Sequence, residues 1–204
     1  MHKDLEMSRT PVKQALLQLK SDGLILEREG RGYEVRRITE ADIVDLFDAR
    51  EGIECTALKI AMKKRISSEV MNQLLYLNSC VTSADHERDY EKVFDYDSEL
   101  HEKLIGASEN SRLIEYYNMI LLQLRRMRLL TYFQKTLPSE AAKEHAYIFS
   151  AIMEDDVTKA LSALSSHILE TRRNYVEILN SRIKSDGDFV ALKYLIQNDL
   201  QIEK

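Results

Sequence analysis

The sequence predicts a mainly α-helical protein, in which a short helix and hairpin precede a bundle of six or seven longer helices. Only two prolines and six glycines occur among the 204 residues, and both residue types are poor helix formers. After residue 37, apolar residues recur at helical spacing over long stretches, whereas the pattern before it is short and compact. These observations favour long helices over a sheet-rich fold.

The N-terminal unit, residues 1–37, is expected to contain one helix followed by a β-hairpin. Ser8 can cap the helix, and Pro11 is tolerated in its first turn because the N–H that proline lacks would be unpaired there. Gly23 is expected to end the helix. The hairpin consists of two short extended runs and the glycine-rich, basic tip between them, at residues 24–26, 33–35 and 29–32 respectively.

The rest of the chain is predicted to be helical, with a bundle domain over residues 38–184 and a helical tail over residues 185–204. Thr39 and Ser67 are expected to cap the first two bundle helices, since each has a carboxylate in the turn that follows. The predicted helices, of which the last is the weakest, span residues 40–64, 67–84, 88–107, 110–135, 138–154, 157–184 and 189–202.

Charge is distributed unevenly along the chain. The net charge is −5, but residues 1–37 hold eight Lys and Arg against six Asp and Glu, which leaves the remainder at −7. Contact with nucleic acid is therefore expected only in the N-terminal unit. No apolar run approaches the roughly 20 residues that span a bilayer, and no apolar signal sequence opens the chain. With Cys55 and Cys80 interpreted as reduced thiols, the sequence predicts a cytoplasmic protein with no membrane partner.

A basic segment near the N-terminus has the pattern of a recognition helix followed by a wing. The helix opens with SRTPVKQAL at residues 8–16, and Gly-Arg-Gly at residues 30–32 forms the hairpin tip. Arg9 lies at the N-terminal end of the helix, where a guanidinium can bond both acceptors of a guanine. Lys13 lies one turn further along, in reach of a phosphate or a base. Arg31 can enter a narrow groove because its glycine neighbours let the backbone approach closely.

This segment resembles the winged helix-turn-helix of the GntR family of transcription regulators over about 30 residues. The resemblance implies a DNA partner, a homodimer and a palindromic operator. The residues that it places at the DNA are Arg9, Thr10, Lys13, Arg31 and Gly32.

The segment also departs from the family pattern. Lys13 and Gln14 stand where the family usually has arginine and glutamate, and lysine keeps the charge without the bidentate geometry. The first helix of the family's head and most of the second should precede Ser8, and only seven residues do so here. We therefore expect this chain to bind DNA weakly unless an N-terminal extension completes the head.

Four potential metal ligands have spacings that bring them together in a helical bundle. Asp97 and His101 are four residues apart, so they project from one face of a helix. His145 and His167 lie eleven residues before and eleven after Asp156, where two helices turn, so they lie at the same height in an antiparallel hairpin. A set of imidazoles with one carboxylate suits zinc, nickel, manganese or iron.

The residues around these ligands resemble the FCD domain, the FadR-type C-terminal domain of GntR regulators, over roughly residues 38–180. The resemblance rests on DSELH at 97–101, ASEN at 107–110, the pair Glu144-His145 with the apolar residues after it, and His167. In metal-binding members of that family, one aspartate and three histidines hold a divalent ion at the floor of the effector cavity. The resemblance implies that role, with zinc as the first expectation, for Asp97, His101, His145 and His167.

Arg50 is a candidate effector contact, because it lies within the apolar stripe of the first bundle helix. A guanidinium that faces a core needs an anion. The sequence leaves two open: Glu54, one turn along the helix, and the carboxylate of a bound effector. Arg128, beside the apolar stripe that includes Leu124, is a weaker candidate for the same role.

These patterns predict a dimeric, metabolite-responsive transcription regulator that is not an enzyme and that binds a small carboxylate effector beside a divalent metal. A metal-dependent enzyme built in a helical bundle is an alternative that the Asp-x-x-x-His spacing also permits, although an enzyme has no need of the DNA-binding pattern. A DNA-silent metabolite-binding fragment is a third interpretation.

Overall fold

The computed structural model describes residues 8–131 and 140–183 of the chain. Within these ranges lie seven helices and one two-stranded sheet. In chain order the elements are α1 (Arg9–Ser21), β1 (Ile25–Arg28), β2 (Gly32–Val35), α2 (Glu40–Lys64), α3 (Ser68–His86), α4 (Tyr90–Gly106), α5 (Ser111–Thr131), α6 (Ala141–Met153) and α7 (Val157–Ile183).

The mainly helical fold class is confirmed. Each predicted end of a bundle helix that lies within the described residues is within two residues of the observed end. The predicted tail at 185–204, with its helix at 189–202, lies outside the described residues. Among the residues described, no helix combines the length and the apolar character that crossing a membrane requires.

Glycine determines the shape of the N-terminal unit. α1 ends where Gly23 adopts a φ of 72°, and the backbone N–H of Gly23 donates to the carbonyl oxygen of Lys20 at 3.1 Å. β1 and β2 pair antiparallel, with Arg28 opposite Gly32. Gly30 and Gly32 have φ values of 70° and 80°, a conformation that glycine adopts without steric cost. The predicted helix and hairpin are both present.

The predicted cap of α1 is only partly correct. Ser8 occupies the N-cap position, but its side chain makes no capping hydrogen bond. A capping side chain normally bonds the backbone N–H of the second or third helical residue. Pro11 is the third residue of α1 and has no N–H to give, so one of the two usual donors is missing.

The bundle helices begin at the caps that the sequence predicts. Thr39 Oγ1 accepts from the backbone N–H of Asp42 at 3.1 Å, and the Asp42 carboxylate accepts from the backbone N–H of Thr39 at 2.9 Å. This reciprocal pair is a capping box. Ser67 Oγ accepts from the backbone N–H of Val70 at 3.2 Å at the start of α3. These caps fix where α2 and α3 begin and therefore which faces they turn inward.

The bundle is arranged around α2, which packs along α7 and also contacts α4 and α5. α6 and α7 form the expected hairpin, and α3 packs on α4 and α6. All six helices contribute buried apolar residues to one core, including Phe47, Leu104, Ile148 and Leu164. Burying one such side chain contributes about 1.5–3 kcal/mol. This packing directs side chains of α4, α6 and α7 toward one place inside the bundle, where the candidate ligands lie.

Candidate metal centre and effector cavity

Four potential metal ligands meet inside the bundle. Asp97 and His101 lie one turn apart on α4, His145 lies on α6, and His167 lies on α7. Each offers one oxygen or nitrogen atom, and these four atoms lie within 4.8 Å of one another. The imidazoles are buried, whereas the Asp97 side chain is 24% exposed. Helix packing thus brings together the four residues that the spacing and the resemblance indicated.

Each imidazole is held at its Nδ1 atom by an acceptor outside the cluster. The pairs are His101 with Glu54 Oε2 at 2.7 Å, His167 with Glu144 Oε2 at 2.7 Å, and His145 with Asn78 Oδ1 at 3.2 Å. Carboxylate and amide oxygens only accept hydrogen bonds, so each Nδ1 carries the proton and donates. In a neutral ring, Nε2 is then left with a free lone pair. This pattern, with an acceptor on the far nitrogen, is the one that metal-ligating histidines adopt.

The three Nε2 atoms converge on one point with the Asp97 carboxylate. The Nε2 atoms of His101 and His167 lie 3.2 Å apart. Asp97 Oδ1 lies 3.5 Å from His145 Nε2 and 3.8 Å from His101 Nε2. Two donor atoms bound to one zinc ion at about 2.1 Å lie about 3.4 Å apart in a tetrahedral arrangement. The measured separations are close to that value, and the ligand set as a whole needs only small inward shifts.

The cluster is electrostatically incomplete without a cation. Two facing imidazole lone pairs repel, and the buried Nε2 of His145 has no hydrogen-bond partner in the described part of the chain. One divalent ion between the four side chains would satisfy all of these atoms at once. Neutral imidazoles with a carboxylate suit zinc, nickel, manganese or iron. The residues present therefore fit a divalent metal.

Burial holds the ligands in the protonation states that bind metal. Desolvation, with a further contribution from His167, lowers the pKa of His145 well below its usual 6.5. Desolvation and the neighbouring His101 lower the pKa of His167 to about 3. Burial alone would raise the pKa of Asp97, but interaction with the neighbouring imidazoles, led by His101, and with Arg50 lowers it to about 2. At neutral pH, His145 and His167 are neutral and Asp97 is ionised, as metal binding requires.

A buried ion pair on α2 adjoins the cluster. Arg50 Nε donates to Glu54 Oε1 at 2.5 Å, and the two side chains are 7% and 0% exposed. Burial alone would lower the pKa of Arg50 and raise that of Glu54. The mutual attraction of the pair, helped for Glu54 by His101, outweighs burial, so the pKa of Arg50 rises and that of Glu54 falls to about 2. Of the two anions that the sequence left open for Arg50, Glu54 is the one in contact with it.

A cavity of about 280 Å³ opens beside the cluster. Arg50, Asp97 and His167 all line it, so the guanidinium and part of the ligand set face the same space. Aromatic, aliphatic and hydroxyl-bearing side chains form much of the rest of its wall, among them Phe47, Phe94, Tyr117, Leu124 and Thr171, and further carboxylates also line it. A concave site that combines apolar walls with convergent polar groups is typical of a small-molecule site. A wider surface depression near the ends of α2 and α4 is more open, and none of the predicted site residues lines it.

Arg128, the weaker effector candidate, also lies at the cavity wall. Its guanidinium carbon lies 5.6 Å from the centre of the Phe94 ring, and its Nη1 lies 3.5 Å from Oδ1 of the exposed Asp95. Both contacts are with α4, the helix that carries Asp97 and His101. Arg50 and Arg128 therefore face one cavity from α2 and α5.

The residues predicted to contact DNA are all exposed on the N-terminal unit. They lie in the first turns of α1 and at the hairpin tip: Arg9, Thr10, Lys13, Arg31 and Gly32. No residue of α1 is fully buried. Leu16 on the apolar face of the helix is only partly buried, and Leu19 is 37% exposed. Among the described residues, nothing covers this face completely.

The sequence did not predict the three residues that orient the imidazoles, which are Glu54, Glu144 and Asn78. Glu54 is considered there only as a partner for Arg50, and Glu144 only as part of a motif. The signal for Glu54 is a carboxylate on the inner face of a helix, which needs partners once buried. The signal for Glu144 is its place next to His145. Asn78 gives no signal, because a half-buried asparagine on an amphipathic helix is an ordinary surface residue.

The fold and the site define a helical bundle domain with an internal imidazole–carboxylate cluster beside a cavity. The FCD domain family matches residues 45–170, which is more than half of the chain and includes all four clustered residues. The chain belongs to the FCD-domain family of GntR-type transcription regulators, as its sequence resemblance implied. This is a family of regulators and not of enzymes, so the enzymatic alternative has no support from it.

Relatives agree with this assignment. The Nta operon transcriptional regulator of Aminobacter aminovorans is 22% identical over 181 residues, which cover 88% of this chain and 83% of the relative. The "Probable D-xylose utilization operon transcriptional repressor" of Paenarthrobacter nicotinovorans is 27% identical over 168 residues, covering 80% and 71%. The solved structure of Escherichia coli McbR/YncC superposes with a TM-score of 0.70 at 18% identity, covering 86% of this chain and 84% of that one. At that identity, the structural likeness supports the fold alone.

Proposed function

We propose that this chain is a DNA-binding regulator whose helical domain binds a divalent metal and a small carboxylate effector in one cavity. One observation carries the proposal: three buried imidazoles, each fixed at Nδ1, turn their Nε2 atoms toward Asp97 at the wall of a cavity that Arg50 also lines. Facing lone pairs repel one another and so destabilise a core, whereas a metal site requires lone pairs that point at one position. When bound, the metal would supply a positive charge and coordination positions for an oxygen ligand.

Charge favours an anionic effector. Three neutral imidazoles and one carboxylate leave a divalent ion with a net positive charge, and the Arg50 guanidinium lies at the same cavity. A small carboxylate suits both groups, with one oxygen toward the ligand cluster and the other toward Arg50. We therefore propose a mono- or dicarboxylic acid of low molecular weight.

The remaining polar wall favours an acid that also carries hydroxyl groups. Besides Asp97, four carboxylate side chains line the cavity along with the arginines: Asp85, Glu140, Glu144 and Glu170. Ionised carboxylates only accept hydrogen bonds, so the effector has to bring donors to them. A hydroxy acid or sugar acid has such donors, and a plain aliphatic acid does not. A neutral sugar is the competing candidate, because one relative is named for D-xylose utilization.

In the proposed regulator, α1 contacts the major groove of DNA through Arg9, Thr10 and Lys13, and the hairpin tip contacts the adjacent backbone or minor groove through Arg31. A homodimer would present two such heads to the half-sites of a palindromic operator. The effector can act only by binding more tightly to one arrangement of the heads than to another.

Elemental analysis of protein purified without chelators tests the proposal. We expect about one metal ion per chain in the wild type, as for a single four-ligand site. His145→Ala should hold far less metal, because His145 is buried within the ligand set. His86→Ala is the matched control, since His86 is an exposed histidine at the end of α3. Equal metal content in the wild type and His145→Ala would contradict the proposal.

A further inference from the structure

We infer that Glu54 couples the metal centre to the effector cavity, because its one carboxylate is shared between the ligand His101 and the effector-binding Arg50. The inference rests on the proposed function and adds to it a positioning residue that makes the two binding events depend on each other. Glu54 itself lines no part of the cavity and does not belong to the four-residue ligand cluster.

The geometry of the sharing is direct. Oε1 of Glu54 accepts from Arg50 Nε at 2.5 Å, and Oε2 lies 2.7 Å from His101 Nδ1. Glu54 is 0% exposed, so water does not compete for either oxygen. Arg50 and Glu54 lie one turn apart on α2, and His101 faces them from α4. A single buried negative charge thus serves two donors on two helices.

Sharing makes the two donors compete for the same charge. A strong hydrogen bond from Nδ1 to a carboxylate makes the opposite Nε2 a more basic metal ligand. The hydrogen bond from Arg50 neutralises part of the negative charge on that carboxylate. The carboxylate therefore raises the basicity of His101 Nε2 less than it would without Arg50. A guanidinium has five N–H groups, so Arg50 can bind a second carboxylate while it keeps its bond to Glu54.

An effector carboxylate on Arg50 would therefore weaken the hydrogen bond from Arg50 to Glu54 and strengthen the one from His101 to Glu54. The metal would then bind more tightly in the presence of the effector. By linkage, the metal would raise the affinity for the effector by the same factor. Coupling of this kind makes the regulator respond to the acid and the metal jointly.

Glu54→Gln should shift the two affinities in opposite directions. The metal affinity should fall about 10- to 100-fold, as for loss of the group that orients a ligating histidine. The metal-free protein should bind a carboxylate more tightly, because Arg50 has lost its buried counter-charge. A purely structural role for Glu54 would weaken both.

Glu54→Asp distinguishes a carboxylate that bonds Arg50 and His101 at the same time from a negative charge that merely lies near both. It keeps the negative charge but is one methylene shorter, so it cannot contact Arg50 and His101 at once. A general charge effect would leave the acetate–zinc coupling in this variant as large as in the wild type, whereas a shared carboxylate predicts a much smaller coupling. Glu51→Gln is the control, because it removes a carboxylate from the same helix. The Glu51 carboxylate accepts from Ser165 on α7 and does not contact the cluster.

The experiment is calorimetric titration of zinc into chelator-stripped protein, with and without excess acetate as the carboxylate probe. Thermal shift follows acetate binding to the metal-free protein. We expect acetate to tighten zinc binding about five-fold or more in the wild type and in Glu51→Gln. In Glu54→Asp and Glu54→Gln the effect should be much smaller, because only direct contact between acetate and the ion remains. Equal zinc affinity in the wild type and Glu54→Gln, or the same acetate effect in the wild type and Glu54→Asp, would overturn the inference.

Failure of the inference is distinguishable from failure of the proposed function. If the wild type binds no zinc, the metal centre itself is refuted. If the wild type binds zinc but acetate leaves its affinity unchanged, the centre stands and the coupling is refuted. If Glu54→Gln does not fold, Glu54→Asp carries the test, since it retains the buried charge beside Arg50.

Discussion

Replacing Arg50 with methionine should abolish most of the cavity's affinity for carboxylates. Arg50 is 6% exposed and lines the cavity, so a carboxylate bound to it would be largely shielded from water. A hydrogen bond to a charged group contributes about 1.5–3 kcal/mol. Loss of that amount corresponds to a roughly 10- to 150-fold weaker affinity. The variant should also be less stable, because breaking a buried ion pair costs about 3–5 kcal/mol.

The assay is a thermal-shift screen of hydroxy acids and sugar acids against neutral sugars. At about 100 times its dissociation constant, a ligand stabilises the folded protein by about 2.7 kcal/mol. For a chain of this size, that raises the melting temperature by roughly 5–11 °C. In Arg50→Met, measured against its own baseline, a 30-fold weaker affinity reduces the stabilisation to about 0.9 kcal/mol. Arg172→Met is the control, because Arg172 pairs with Asp48 and does not line the cavity.

Either of two outcomes would show that the cavity does not bind carboxylates through Arg50. If acids stabilise the wild type, Arg50→Met and chelator-treated protein equally, the carboxylate site lies elsewhere. If neutral sugars stabilise the protein and acids do not, the cavity does not select for negative charge.

Three further predictions concern the histidine partners, the core and the head. Glu144→Ala and Asn78→Ala should each weaken zinc binding about 10- to 100-fold in competition with a chromophoric chelator, because they remove the acceptors of the Nδ1 atoms of His167 and His145. Leu104→Ala should cost about 2–5 kcal/mol in urea unfolding, since this core leucine is 1% exposed. In a gel-shift assay at physiological salt, Arg9→Ala should relax specificity at one base position of the bound operator, at a cost of about 1–3 kcal/mol.

The helices were predictable because their signals are local. Apolar spacing, Thr39 and Ser67 as caps, and breaks such as Asp155 all act over a few residues. The exception at Ser8 is also local, since Pro11 removes a donor that the cap would use. Packing of α3 on both α4 and α6 was not predictable in this way, because it depends on contacts between distant parts of the chain.

The ligand cluster was predictable in part for the same reason. The four-residue spacing of Asp97 and His101, and the equal distances of His145 and His167 from Asp156, are features of single helices and one hairpin. The shared carboxylate of Glu54 was not predictable, because His101 is 47 residues away and only the packing of α2 on α4 joins them. A buried acid on a helix signals that some partner exists without indicating which.

Anomalous diffraction at the zinc edge, from crystals grown with zinc, would locate the metal in the bundle. We expect one strong peak, about 2.0–2.2 Å from the Nε2 atoms of His101, His145 and His167 and from an Asp97 oxygen. We also expect each Nδ1 atom to keep the acceptor described above. A peak outside this cluster, or crystals of the zinc-treated protein with no peak among these four side chains, would contradict the account.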